Sequence, residues 1–164
     1  MIARFAALLA ASLFLIACSP QQSADRTSSL ATETPRGLHP ESGLKVIPLT
    51  VTSGTAVHSF QVEVAASAEE QRKGLMFRAR LGPNEGMIFP RNPPDLASFW
   101  MKNTPLPLDI IFVGEDRKIL NIAANTVPYS LDSVPAAGLT ALVLEIPGGR
   151  AAELGIEPGD SVEW

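Results

Sequence analysis

The stretch that decides the fold is Val57-His-Ser-Phe-Gln-Val-Glu-Val-Ala65, in which apolar and polar residues alternate. The apolar residues Phe60, Val62 and Val64 share one face, and Ser59, Gln61 and Glu63 share the other. Successive side chains of a β-strand point to opposite faces of its sheet, so a period of two residues is typical of a strand with one covered face. The stretch therefore predicts a half-buried strand.

Short helices and further short strands are predicted around this strand. Ser67-Ala-Glu-Glu70 has the spacing of a capping box and predicts a helix from Ser67 to Lys73, with Gly74 ending it. A second short helix is predicted at Gly148–Leu154. Further strands are predicted at Gly86–Phe89, Leu96–Lys102, Asp109–Val113, Ile119–Thr126 and Thr140–Ile146, and in a last segment that ends at Trp164.

This order of elements favours a mainly β fold, an antiparallel β-sandwich or a partly open barrel with one or two short helices. The intervals between strands are too short for a series of crossover helices, which disfavours a doubly wound parallel sheet. We place this β domain at residues 45–164.

The N-terminal segment is typical of an export signal. Phe5–Ala17 is apolar but shorter than the roughly 20 residues that a membrane-spanning helix needs. It ends in Leu15-Ile-Ala-Cys18, which resembles the lipobox of bacterial lipoproteins, where the cysteine is acylated and becomes the first residue of the mature chain. The alternative, ordinary cleavage after Ala17, needs a small residue where this chain has Leu15.

The lipobox resemblance implies a signal peptide at residues 1–17, lipidation of Cys18 and a cell-envelope location facing the periplasm. By the sorting rules of such lipoproteins, Ser19 points to the outer membrane. Residues 18–44 are rich in Ser, Thr, Pro and Gln, without apolar periodicity, and predict a flexible tether.

Composition excludes several classes of function. The chain has 13 Lys and Arg residues against 17 Asp and Glu residues, a net charge of −4, which disfavours a nucleic-acid partner. Its single cysteine excludes an internal disulfide and a multi-cysteine zinc site. The two histidines, His39 and His58, lie far apart in sequence. We therefore expect no metal and no cofactor. We also expect a monomeric protein.

The residues Trp100, Lys102 and Asn103 suggest a candidate binding pocket. In an extended chain, Trp100 and Lys102 point away from the face of Phe99 and Met101, so one face carries an indole beside an ammonium. With Asn103, they could form the wall and polar handles of a pocket for an anionic or carbonyl-bearing ligand. Alternatively, Trp100 covers the core, Lys102 extends to water, and Asn103 stabilises a turn.

Two carboxylates are further candidates. Asp109 precedes an apolar run, so it could line the same pocket, pair with Lys102 or Arg78, or accept hydrogen bonds from backbone N–H groups. Glu145 shares the face of Val143 within an apolar strand and is predicted to be buried. A buried carboxylate needs a partner or a raised pKa. Arg78 or Arg80 is the expected partner, and an acid–base role is the alternative.

Five segments in a fixed order carry a family resemblance. The segments are Gly74-Leu-Met-Phe-Arg78, Gly86-Met-Ile-Phe89, Phe99-Trp-Met-Lys-Asn-Thr-Pro-Leu-Pro-Leu-Asp-Ile-Ile-Phe-Val113, Val143-Leu-Glu145 and Gly159-Asp160. Together they resemble the DUF192 family, also labelled UPF0127, which implies a mainly β domain and no established reaction.

We expect a membrane-anchored envelope lipoprotein whose β domain is a non-catalytic module that binds a small molecule, a glycan or an envelope protein. The alternative is an enzyme of unknown class. In it, Glu145 or Asp109 would act as general acid or base, and Lys102 or Asn103 would stabilise the developing charge.

Overall fold

Nine strands and two short helices make up residues 37–164, the part of the chain that a computed structural model describes. The expected signal peptide, Cys18 and most of the expected tether lie outside these residues. Among residues 37–164, no helix is long and apolar enough to cross a membrane. The elements are β1 (Val46–Ser53), β2 (Ala56–Val64), α1 (Ala68–Lys73), β3 (Glu85–Asp95), β4 (Ser98–Phe99), β5 (Leu108–Val113), β6 (Ile119–Ala123), β7 (Val134–Pro135), β8 (Thr140–Pro147), α2 (Arg150–Leu154) and β9 (Ser161–Glu163).

Seven strands form one sheet in the order β6-β5-β8-β3-β2-β1-β9, and β4 pairs with β7 in a separate ribbon. The two edges of the large sheet approach each other near Lys118, which forms an antiparallel bridge with Ser161. The backbone N–H of Ile119 also donates to the carbonyl of Asp160 at 2.9 Å. The sheet therefore curls into a half-barrel, which confirms the predicted mainly β fold.

One strand pair departs from the antiparallel expectation, because β2 and β3 run parallel with α1 in the connection between them. The predicted capping box begins this helix: the Ser67 hydroxyl accepts from the N–H of Glu70, and the Glu70 carboxylate accepts from the N–H of Ser67 at 2.7 Å. These backbone hydrogen bonds lower the pKa of Glu70. Gly74, with φ of 45°, ends the helix as predicted.

Two apolar cores lie on opposite faces of the large sheet. On β8, Leu142, Leu144 and Ile146 belong to the first core, whereas Val143 belongs to the second. By strand alternation, Glu145 lies on the face of Val143 and therefore against the second core, as predicted. The second core also contains Leu75, Met87, Phe89, Met101, Leu108, Ile110 and Phe112.

The strand expected at Leu96–Lys102 is reduced to β4. Directly after it, the N–H of Met101 donates to the carbonyl of Ser130, and the N–H of Thr104 donates back to Met101. The chain therefore turns away from the ribbon after Phe99, and this turn brings Trp100 to the surface near the second core.

Candidate functional site

A cavity of about 370 Å³ lies at the edge of the second core, and we call it the Glu145 cavity. It is lined by α1 with the turn that follows it, by β3, by β4 with the next turn, and by Glu145 of β8. Its apolar lining includes Leu75, Met76, Phe89, Phe99 and Trp100. The other lining residues are Ala68, Gln71, Arg72, Lys73, Gly74, Arg91, Ser98 and Thr104.

The Glu145 carboxyl group is buried without a polar partner. The residue is 5% exposed, and its strand neighbours across the sheet are Met87 and Ile110. Within residues 37–164, its carboxyl group has neither a hydrogen bond nor an ion pair. Burial raises its pKa from 4.5 to about 8, because an ionised carboxylate is poorly solvated among apolar side chains. At neutral pH the side chain is therefore mainly a neutral carboxylic acid.

Gly86 allows β3 to approach β8 closely at this position. A Cβ atom on Gly86 would lie 2.6 Å from the carbonyl oxygen of Glu145, closer than real Cβ contacts. Glycine is therefore required to keep the two strands in register beside the cavity.

Aromatic rings form one wall of the cavity. Phe89 and Phe99 pack edge to face with their centroids 5.0 Å apart. Trp100 is 49% exposed, so its indole stands where the cavity opens to solvent. As expected from the alternation, Met101 is buried whereas Trp100 and Lys102 are exposed.

Three cations lie on the α1 and β3 side of the cavity. Arg72 and Lys73 are exposed in the last turn of α1. The Arg91 guanidinium lies 5.6 Å from the centre of the Phe99 ring, and its Nη1 is 3.7 Å from an Asp95 oxygen. The Nε of Arg91 is buried and has no hydrogen-bond partner within residues 37–164. Among these described residues, Glu145 is the only acidic residue that lines the cavity.

Of the four residues expected to form a pocket, only Trp100 lines the Glu145 cavity. The ammonium of Lys102 lies 5.1 Å from the centre of the Trp100 ring and points to solvent. Asn103 has φ of 55°, its side chain contacts the Met76 sulfur, and its carbonyl accepts from the N–H of Phe77 at 2.7 Å. Lys102 therefore extends to water and Asn103 lies in a turn, as in the structural alternative, and the contact of Lys102 with the Trp100 ring was not predicted.

Asp109 is fully buried and is bonded to the backbone. Its Oδ1 accepts from the N–H groups of Asn125 at 2.7 Å and Gly149 at 2.8 Å, and its Oδ2 accepts from the N–H of Ala151 at 2.7 Å. The three bonds satisfy the carboxylate and connect β5 to the start of α2 and to the loop after β6. The structure therefore places Asp109 outside the cavity, with a role in holding these segments together.

The expected ion pair between Glu145 and an arginine does not form, because Arg78 binds Glu63 instead. Arg78 Nη1 lies 2.7 Å from Glu63 Oε1, Nη2 lies 3.0 Å from Oε2, and both residues are at least 95% buried. This hydrogen bonding raises the pKa of Arg78. Arg80 is exposed. Glu63 also accepts from the hydroxyl of Ser42.

Sequence reasoning missed the role of Glu63, because its alternation placed it on the polar face of β2. The signal that could have found the Glu145 cavity is the clustering of Phe89, Phe99 and Trp100 in the densest motifs. Among residues 37–164, no three His, Cys, Asp or Glu side chains are grouped to hold a metal ion.

Comparison with known proteins gives a family and two similar structures. Residues 49–164 match the DUF192 family, described as "Uncharacterized ACR". A crystal structure of a protein of unknown function from Novosphingobium aromaticivorans DSM 12444 is 62% identical, with a TM-score of 0.76 over 77% of this chain and 91% of that one. A candidate transcription regulator from Sinorhizobium meliloti 1021 is 33% identical, with a TM-score of 0.71 over 73% of this chain and 94% of that one. No curated protein matches the chain.

Proposed function

We propose that this chain, which belongs to the DUF192 family, is an envelope lipoprotein whose β domain binds a small molecule in the Glu145 cavity without transforming it. The observation that carries this proposal is Glu145, a residue that is only 5% exposed, whose carboxyl group has no partner within residues 37–164 and which lines a cavity with an aromatic wall. A buried polar group without a partner costs stability, and a ligand that bonds to it removes that cost.

The size and chemistry of the cavity support this proposal. Its volume of about 370 Å³ lies within the range of small-molecule sites. Such sites combine apolar walls with a few polar groups that orient the ligand, which is the combination of Phe89, Phe99 and Trp100 with Glu145. A role in transcription, suggested by the description of the S. meliloti protein, is not proposed, because acidic residues outnumber basic ones.

An enzyme is the second candidate, favoured by the raised pKa of Glu145 in a cavity. We place it second because the other members of its expected catalytic set lie elsewhere. Asp109 is bonded to three backbone N–H groups, and Lys102 lies on the indole of Trp100 outside the lining. Glu145 would have to act without either of them.

The test is a thermal-shift screen of the full chain in detergent against small amines, carboxylates, sugars and peptides. A ligand of the cavity should raise the melting temperature of the wild type. Trp100→Ala should abolish this increase, because it removes the outermost ring of the aromatic wall. Tyr129→Ala is the matched control, since Tyr129 is also an exposed aromatic residue but does not line the cavity. The binding proposal fails if no compound shifts the wild type, or if both variants respond as the wild type does. Turnover of a bound compound that is lost in Glu145→Gln would favour the enzyme.

The membrane anchor is a separate part of the proposal and needs its own test. It is supported by Leu15-Ile-Ala-Cys18 at the end of the apolar segment. Metabolic labelling with a fatty acid in a Gram-negative host should label the wild type and place it in the outer-membrane fraction. Cys18→Ser should lose both the label and membrane retention, and persistence of both would contradict lipidation at this cysteine.

A further inference from the structure

We infer that the ligand of the Glu145 cavity is a small zwitterion, which places an ammonium group against the Glu145 carboxylate and an anionic group beside Arg72, Lys73 and Arg91. This inference rests on the proposed binding function and names the chemical class of its ligand. The observation behind it is the separation of charge in the lining. One isolated acid comes from β8, and the three cations come from α1 and β3.

The carboxyl group of Glu145 lacks hydrogen-bond donors. Within residues 37–164, no N–H or O–H group bonds to either of its oxygens, so a ligand that only accepts hydrogen bonds would leave acceptor sites empty. An ammonium group carries three donors and can bond to both oxygens. Its bonds to an ionised carboxylate are also stronger than those between neutral groups.

The aromatic wall favours an apolar body in the middle of the ligand. Phe89, Phe99 and Trp100 line the cavity with the carboxyl group. Phe99 already has the Arg91 guanidinium over one face, and Trp100 has the Lys102 ammonium near its ring. The remaining ring surfaces can contact an apolar body between the two charged ends of a ligand.

The second charged group of the ligand should be anionic, because the cations on the α1 and β3 side of the cavity are incompletely neutralised. Arg72 and Lys73 have no ion pair within the described residues, and Glu70 of the same helix is bonded to backbone N–H groups at its start. Arg91 donates to the amide oxygen of Gln71 at 3.4 Å, and its one acidic contact within the described residues is the half-exposed Asp95 at 3.7 Å. Burial raises the pKa of Glu145, and no ion pair joins its carboxyl group to these cations within the described residues.

Binding of an ammonium should therefore depend on pH. The ammonium prefers ionised Glu145, whose fraction rises from about 1% at pH 6 to about 50% at pH 8 for a pKa of about 8. The other charged groups that line the cavity are Arg72 and Lys73 of α1 and Arg91 of β3. Affinity for an amine should therefore rise about 50-fold from pH 6 to pH 8. Affinity for a ligand that accepts a hydrogen bond from the protonated carboxyl group should fall over the same range.

The experiment compares three probes by calorimetric titration of the full chain in detergent at pH 6 and pH 8. They are 4-(aminomethyl)benzoic acid, which has both charges, 4-methylbenzoic acid, which lacks the amine, and benzylamine, which lacks the carboxylate. The zwitterion should bind at least 10-fold tighter than either partial probe at pH 8 and tighten about 50-fold from pH 6 to pH 8. Glu145→Gln should remove the pH dependence, whereas Glu157→Gln, at an exposed glutamate, should keep it.

Three results would overturn the inference. The first is no binding of the zwitterion at millimolar concentration. The second is equal binding of 4-methylbenzoic acid with affinity that falls as pH rises, which would leave the proposed binding function intact. The third is unchanged, pH-dependent binding in Glu145→Gln, provided that circular dichroism shows the variant folded. The binding function itself fails separately, when no compound of the broader screen depends on Trp100.

Discussion

Replacing Glu145 by glutamine should stabilise the protein relative to the wild type as pH rises. The pKa of this carboxyl group is about 8 in the folded protein and 4.5 when exposed. Between these values the unfolded chain is ionised and the folded protein retains its proton, so the wild type loses stability with rising pH. Each pH unit between these two values lowers the free energy of unfolding of the wild type by about 1.4 kcal/mol. Below pH 4.5 both states are protonated and the cost disappears.

The expected size of the effect follows from that window. Between pH 5 and pH 8, Glu145 should reduce the free energy of unfolding by roughly 3 to 4 kcal/mol. Glutamine has nearly the same shape and does not titrate, so its own burial cost is the same at both pH values. The difference in unfolding free energy between the variant and the wild type should therefore grow by that amount.

Urea unfolding followed by circular dichroism at both pH values measures this difference. Subtracting the wild-type change from the variant change removes the contribution of every other titrating group. Glu157→Gln is the control substitution, because Glu157 is exposed and does not line the cavity. Parallel stability curves for the wild type and Glu145→Gln would refute the claim that the folded protein holds this carboxyl group in an apolar environment.

Three further substitutions test the other buried features by the same unfolding assay. Asp109→Asn should reduce the free energy of unfolding by about 2–3 kcal/mol, because an amide cannot accept all three backbone hydrogen bonds. A reduction below about 0.5 kcal/mol would contradict the role of Asp109 in holding these segments together. Glu63→Gln should reduce the free energy of unfolding by about 3 kcal/mol, because buried Arg78 would keep only a 3.4 Å contact with the exposed Glu41 as an ion pair. Glu163→Gln, in an exposed pair, should cost at most about 1 kcal/mol; equal losses would count against the buried pair. Gly86→Ala should reduce the free energy of unfolding by about 1–3 kcal/mol, because its Cβ would contact the β8 backbone. An unchanged urea midpoint would contradict the close approach of β3 and β8.

Local pattern was enough to predict most of the elements. The alternation at Val57–Ala65 gave β2, and the capping box with Gly74 gave α1, because both signals depend on neighbours within a few residues. The parallel pairing of β2 with β3 was not predicted. It depends on how a short helix returns the chain to the sheet, which local periodicity does not encode.

The candidate site was predicted in part, and the wrong predictions all concern contacts between residues that are far apart in sequence. Strand parity correctly placed Glu145 among apolar residues, since parity is a local property. The lack of an arginine partner for Glu145 could not be inferred, because the fold buries three carboxylates and brings Arg78 to Glu63. Asp109 was likewise satisfied by N–H groups up to 42 residues away in sequence.

The contrast among three buried carboxylates supports a functional rather than a structural role for one of them. Glu63 is paired with Arg78, and Asp109 accepts three backbone hydrogen bonds, so each offsets its loss of hydration with bonds inside the fold. Glu145 has no such bond within residues 37–164, although an apolar residue would fill the second core at lower cost. The one carboxyl group of the three that weakens the fold is also the one that lines the cavity. A stability cost confined to a cavity is typical of a binding site, because the ligand supplies the missing partner.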